Sequence, residues 1–239
     1  MMEKSLNDTL FDRAYPQILE NIKTAENNSP YGNKARLLAA TKTVPVEVIN
    51  EAIEKGLRLI GENKVQELKE KFPYLDKRAE IHFIGNLQTN KVKDVVPMVS
   101  MIHSVSSEKL ALEISKQCQK LDKDMDILLQ VNIGNEDSKS GFDIEEILPA
   151  CEKISKLPRL KVKGLMAIPP ICENESENSK YFCKMRQLFI DIAGKKMDNI
   201  NMDILSMGMS GDFEAAVACG STLVRVGSAI FGERDYTKK

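Results

Sequence analysis

The sequence predicts an α/β protein, a single closed (β/α)8 barrel of the TIM type with an extra N-terminal helix. Two observations carry this reading. Eight short runs rich in apolar and β-branched residues recur at 37–42, 57–63, 81–86, 101–105, 126–133, 162–168, 204–210 and 223–231. Several are almost continuously apolar, as expected of parallel strands buried on both faces. Amphipathic segments separate them, so strand and helix alternate along the chain. The competing fold is an open doubly wound sheet, but no Gly-x-Gly-x-x-Gly turn follows the first run.

The elements follow in order. A helix is expected within about residues 5–28, clearest from Asp8 to Ala25, with Pro16 limiting or bending its first turns. Residues 45–55 place Val48, Ile49, Ala52 and Ile53 on one face and stop at Gly56. Residues 106–121, 143–155 and 175–196 repeat the pattern, the last with Tyr181, Met185, Leu188, Phe189 and Ile192 at helical spacing. A further helical run, 213–218, follows the seventh strand. The barrel is expected over about residues 35–236 of one domain spanning 1–239. No linker divides it, and only 173–179 reads as a strongly polar surface loop.

The bulk numbers narrow the function. Lys plus Arg total 34 and Asp plus Glu 35, a net charge of −1, so no strong field draws the chain to nucleic acid or a membrane surface. The five cysteines (Cys118, Cys151, Cys172, Cys183 and Cys219) are never two residues apart, and only His82 and His103 could join them as ligands. Reduced thiols are expected, and neither a zinc site nor a disulfide framework. No apolar leader or spanning run is present, so a cytoplasmic protein is expected.

In such a barrel the chemistry sits at the C-terminal ends of the strands. Lys42 ends the first run. Desolvation there would lower its pKa and free the amine to attack a carbonyl, although taken alone it reads more readily as a snorkelling surface lysine. Between strand seven and its helix lies Ser206-Met207-Gly208-Met209-Ser210-Gly211-Asp212. Its small residues let backbone N–H groups approach an anion at a helix start, the plain alternative being an N-cap. Gly227-Ser228 after strand eight supplies a second small pair, and a phosphate gripped between the two loops is favoured. Arg225 lies within strand eight, where it must hold a ligand or pair with a carboxylate such as Glu62. His82 is left unassigned, as a core histidine, a loop donor or neither.

These residues also carry a resemblance. The segments Ala39-Ala40-Thr41-Lys42-Thr43, Gly61-Glu62-Asn63-Lys64-Val65-Gln66-Glu67, His82-Phe83-Ile84-Gly85-Asn86-Leu87-Gln88-Thr89-Asn90-Lys91, Ser138-Lys139-Ser140-Gly141-Phe142, Gly164-Leu165-Met166, Leu205-Ser206-Met207-Gly208-Met209-Ser210 and Val224-Arg225-Val226-Gly227-Ser228-Ala229-Ile230-Phe231-Gly232 closely resemble the YggS/PROSC family of pyridoxal phosphate homeostasis proteins. That family is similar to the N-terminal barrel of alanine racemase. The resemblance implies pyridoxal 5'-phosphate held reversibly as a Schiff base on Lys42, with Asn63 beside it. Ser206, Met207, Ser210, Gly227 and Ser228 would surround the phosphate, and Arg225 would face the pyridine nitrogen.

An arginine at that nitrogen weakens the electron sink that a carboxylate would strengthen. A racemase takes its second base, a tyrosine, from a further domain. The chain stops at Lys239, and none of Tyr15, Tyr31, Tyr74, Tyr181 and Tyr236 sits at an expected strand end. A cofactor carrier without demonstrable catalysis is therefore expected, monomeric and able to serve apo enzymes that use the cofactor. A small amino-acid racemase and a cofactor-free Schiff-base aldolase are the alternatives.

Overall fold

The structure is a computed structural model and describes residues 9–136, 139–170 and 175–232. The expected helical residues 5–8, Ser138, Cys172, Tyr236 and the expected barrel residues 233–236 lie outside them.

The eight runs form eight parallel strands closed in sequence order, β1 to β8, with β8 pairing back onto β1. They are β1 (Arg36–Ala40), β2 (Leu59–Glu62), β3 (Glu80–Phe83), β4 (Met101–Val105), β5 (Met125–Val131), β6 (Leu160–Ala167), β7 (Ile200–Ser206) and β8 (Leu223–Val226). The helices are α1 (Leu10–Asn28), α2 (Val46–Glu54), α3 (Val65–Lys71), α4 (Val92–Val95), α5 (Glu108–Lys120), α6 (Ile144–Ile154), α7 (Glu175–Ala193), α8 (Phe213–Ala218) and α9 (Ser228–Phe231). Several boundaries differ from the expectation, and residues 175–179, expected within a surface loop, already belong to α7. Strand β7 begins at Ile200, because its first half alternates apolar and polar beside solvent and reads weakly as a buried strand. The run 223–231 is strand only to Val226 and then becomes α9. Helices α3 and α4 are short pieces that periodicity did not resolve.

Helix α1 is set by Thr9, whose side chain caps Asp12 while the Asp12 carboxylate caps Thr9 in return. Pro16 lies inside it, past the first turn, at the cost of one backbone hydrogen bond. Its apolar stripe, Phe11, Ile18, Ile22 and Ala25, is buried in a cluster that includes Phe213 of α8 and Ile230 of α9.

Strand parity divides the core into two layers. Leu37, Ala39, Ile60 and Val224 face the helices, within one of two large outer clusters. Leu38, Leu59 and Leu223 point into the barrel with Ile84 and Ile204, and Met101, Leu128 and Met166 form the neighbouring inner cluster. The barrel is thus packed at mid-height, and its open volume lies at the mouth. Where β6 meets β7 the register shifts beside Gly164, whose φ of +147° suits only glycine. The four cysteines among the described residues are free thiols, with Cys183 and Cys219 adjacent at 3.0 Å between sulfurs. Among the described residues no cluster could hold a metal ion, and no helix is long and apolar enough to cross a membrane.

A Cβ at Gly164 would overlap the Ile204 carbonyl oxygen. Gly164→Ala is therefore expected to cost about 3 kcal/mol, read as a lowered urea midpoint, because the strand must move and the φ is unfavourable for alanine.

Candidate functional site

Lys42 follows the end of β1 by two residues and continues the inward parity of Leu38 and Ala40. It is half-buried and sits in a tight turn closed by Val44 N–H donating to Thr41 O at 3.1 Å. Thr43 takes a left-handed φ of +65°, which a threonine adopts only when its surroundings impose it. The imposing group is a buried ionic cluster beneath the turn. Lys71, at the end of α3, donates to Thr41 O at 2.7 Å, to Glu62 at 2.9 Å and to Glu67 at 2.6 Å. Glu67 in turn accepts from the Thr43 backbone N–H, and Glu62 accepts from the Thr41 hydroxyl at 2.7 Å. Burial pushes the Glu62 carboxyl up, and the neighbouring Lys71 charge opposes that rise.

Glu62 therefore serves the turn. The alternative of a Glu62–Arg225 ion pair does not form, because Glu62 shares the outward parity of Ile60 and reaches α3 instead.

Arg225 points into the barrel and is 5% exposed. Its guanidinium donates to Ser206 Oγ at 2.6 Å and to Ala167 O at 3.0 Å. Desolvation draws its pKa down to about 10, so it keeps its charge at neutral pH. Both of these acceptors are neutral. The Ser206 hydroxyl is fully buried and lies 3.3 Å from His103 Nδ1 as well, so it belongs to the guanidinium side of the mouth.

The loops after β7 and β8 are stitched to each other. Gly227 N–H donates to Ser210 Oγ at 3.2 Å, and Arg225 N–H donates to Gly208 O at 3.0 Å. Asp212 closes the first loop by accepting from Met209 N–H at 2.6 Å and is itself held by Asn178 at 2.9 Å. Gly227 comes so near β1 that a Cβ would lie 3.0 Å from Ala40 O. Ser228 is exposed at the rim. Met207 forms a wall of the loop: its side chain is buried in the outer layer, its N–H donates to Leu223 O and its carbonyl accepts from Ser221. Helix α8 has only six residues, so an anion at this loop would be held by local N–H and hydroxyl groups more than by a macrodipole.

Across the mouth, on the β2 to β6 side, lies a cavity of about 300 Å³ lined by Asn63, Gly85, Asn86, Gln130, Asn132, Lys139 and Met166 among others. Asn63 Oδ1 is buried there with no hydrogen-bond partner among the described residues. A buried unpaired carbonyl is costly and marks a place for a ligand donor. Gly85 lets this happen, since a Cβ there would overlap the Asn63 backbone.

Lys42, Arg225, Ser210, Gly227 and Ser228 thus stand on the neighbouring strands β7, β8 and β1, with Asn63 following on β2. The residues that the sequence reading missed are Lys71 and Glu67 under the lysine turn, and the pair His82 and His103 inside the barrel, 2.9 Å apart. Strand parity places His82 and His103 inward, but their contact needs the closed barrel.

Residues 15–235 match the alanine racemase, N-terminal domain family. A pyridoxal phosphate homeostasis protein from Aquifex aeolicus (strain VF5) is 45% identical over 222 residues, covering 92% of this chain and 96% of the relative. A solved protein of unknown role from Bifidobacterium adolescentis superposes with a TM-score of 0.88 at 34% identity, over 97% of this chain and 98% of that one. PipY of Synechococcus elongatus PCC7942, solved with PLP bound, superposes at 0.78 with 30% identity, over 90% of this chain and all of that one (100%).

Lys71→Met would leave Glu62 buried without its cation, and a loss of about 3 kcal/mol is expected by urea denaturation. The sign with pH follows from Glu62. Its folded pKa lies above the unfolded value, so the folded state binds the proton more tightly and stability falls as pH rises. The variant's deficit is therefore expected to be larger at high pH than at low pH, and Lys71→Met combined with Glu62→Gln should remove that slope.

Proposed function

Because the chain belongs to the pyridoxal phosphate homeostasis protein family, built on the alanine racemase N-terminal domain, we propose that it binds pyridoxal 5'-phosphate reversibly at this barrel mouth and acts in homeostasis of that cofactor. The observation that carries the reading is the convergence of a lysine, a stitched pair of small-residue loops and a buried arginine on three adjoining strands. When bound, the group supplies an aldehyde that combines with amines and a pyridine ring that can accept electrons.

Each residue has a task. Lys42 offers the amine that holds the aldehyde reversibly, and the Lys71 cluster fixes the turn that presents it. The Ser210 hydroxyl, with the Gly227 and Ser228 segment, forms the phosphate cradle. Asn63 offers its unpaired carbonyl oxygen to a donor on the ligand. Arg225, steadied by Ser206, sets a permanent cation in the barrel interior. A cation there disfavours protonation of a ring nitrogen beside it, which favours holding the cofactor over using it.

Among the described residues the tyrosines support the carrier reading over a racemase. Tyr15 reaches Gly56 O, Tyr31 lies under Arg186, Tyr74 is on the surface and Tyr181 is on α7. The reading extends to a cytoplasmic monomer that passes its cofactor to apo enzymes.

Absorbance tests the binding. The purified protein should take up one pyridoxal phosphate per chain and develop a visible band that borohydride bleaches. Lys42→Ala should lack the band and hold the ligand at least about tenfold more weakly, or about 1.4 kcal/mol. A protein that stays colourless would sink the proposal. Exchange of an amino acid's α-proton for deuterium at turnovers of about 1 s⁻¹ or more would overturn the carrier role in favour of a racemase.

A further inference from the structure

The chain has two histidines, and both are fully buried in the barrel interior on the neighbouring strands β3 and β4. His82 Nδ1 lies 2.9 Å from His103 Nε2, and His82 Nε2 lies 2.9 Å from Glu80 Oε1 at the floor of the barrel. At the other end His103 Nδ1 lies 3.3 Å from Ser206 Oγ, which accepts from Arg225 at 2.6 Å. Four contacts therefore join a carboxylate on the floor to the guanidinium at the mouth, straight through a packed core. None of the assigned cofactor contacts explains why two imidazoles are buried together here.

The protons of this chain can be placed by elimination. Arginine only donates, so Ser206 oxygen accepts from it and the single hydroxyl hydrogen remains for His103 Nδ1. A His103 whose Nδ1 accepts carries its hydrogen on Nε2 and donates it to His82 Nδ1. His82 then carries its hydrogen on Nε2 and donates it to Glu80. The hydrogen bond from His82 is the largest of the causes that hold the Glu80 carboxyl down at about 2, so Glu80 is an acceptor at neutral pH. Burial above all, with the Arg225 charge acting in the same direction, keeps His103 well below the usual imidazole range, so it is neutral. The opposite polarity would set a lone pair of His82 against the Glu80 carboxylate unless Glu80 were protonated. It would also turn the Ser206 hydrogen away from His103.

We propose that Glu80, His82, His103 and Ser206 form a directional hydrogen-bonded relay that orients Arg225 and links proton uptake at the barrel floor to the cofactor-facing end of the site. It rests on the cofactor reading above, and His82 and His103 are positioning residues in it. The transfer balances. The Ser206 hydrogen passes to His103 Nδ1, the His103 Nε2 hydrogen to His82 Nδ1 and the His82 Nε2 hydrogen to the Glu80 carboxylate, while the Ser206 oxygen takes one proton from the mouth. Both rings change tautomer, neither gains net charge, Glu80 ends protonated, and the new Ser206 hydroxyl hydrogen faces the mouth. The charged and polar groups facing the floor end are Arg36 at 2.8 Å from Glu80 and Ser100 at 3.3 Å. At the mouth end, Asp212 is the acid that acts on Arg225.

Two measurements test this. In cofactor-free protein labelled with ¹⁵N-histidine, long-range ¹H–¹⁵N correlation should show just two rings, both neutral at pH 7, with hydrogen on Nε2 and an accepting Nδ1. In the loaded protein, Glu80→Gln should move the pH midpoint of the cofactor's visible spectrum by about one unit, although the substituted residue lies at the opposite end of the barrel. Hydrogen on Nδ1 of either ring, an imidazolium at neutral pH, or superimposable spectral profiles for Glu80→Gln and the parent overturns the relay. Failure of the parent protein to take up pyridoxal phosphate would sink the cofactor reading, and the ring tautomers would still decide the relay's polarity.

Discussion

Arg225 carries a full positive charge into a barrel whose other inward residues include Leu38, Leu59, Leu223 and Met166. Desolvation at that depth costs several kcal/mol unless the guanidinium hydrogens find acceptors. Much of the mouth is arranged around that demand. Ser206 on β7 and the Ala167 carbonyl at the end of β6 meet the guanidinium, and the Gly208 carbonyl meets the backbone N–H of the same residue. Satisfying the arginine thus ties three consecutive strand ends together, and these carry the small-residue loops. Glycines at 208 and 227 allow the loops to close over it. The site is therefore a consequence of how a buried cation is accommodated as well as a place where a ligand fits.

The opposite side of the mouth solves a different problem with a similar device. Lys42 sits in a turn that includes a left-handed threonine, and no single hydrogen bond would hold such a turn against relaxation. Lys71, Glu67 and Glu62 hold it from outside the barrel wall. Burying this cluster does not make the protein more stable than an apolar replacement would. What it contributes is geometry, because the amine-bearing residue is fixed from its backbone by partners that lie outside the mouth.

The strands were legible in the sequence because both faces are buried, which leaves nearly continuous apolar runs with polar punctuation. Strand β7 was only half legible, since Asn201 and Asp203 interrupt a stretch that lies near solvent. Residues 228–231 looked like strand because Ala229, Ile230 and Phe231 are apolar, and apolar content over four residues cannot separate a buried strand from a helical turn. Lys42, Arg225 and the two loops could be placed from strand ends alone. The partners could not. Lys71 reaches Glu62 from nine residues away across a helix, and His82 meets His103 only because β3 and β4 are adjacent in a closed sheet. Parity could have removed Glu62 as a partner for Arg225, since Gly61 and Asn63 face inward and Glu62 must then face out.

The bond between Gly227 and Ser210 bears on timing. Two loops already fastened to each other, and one of them braced again by Asp212 and Asn178, have little freedom left to surrender when an anion arrives. Capture then needs no disordered segment to fold over the visitor, and departure needs none to peel away. How long a guest stays is set by the contacts it makes itself. Such a rigid berth suits a molecule that must be accepted and surrendered many times without wear on the host.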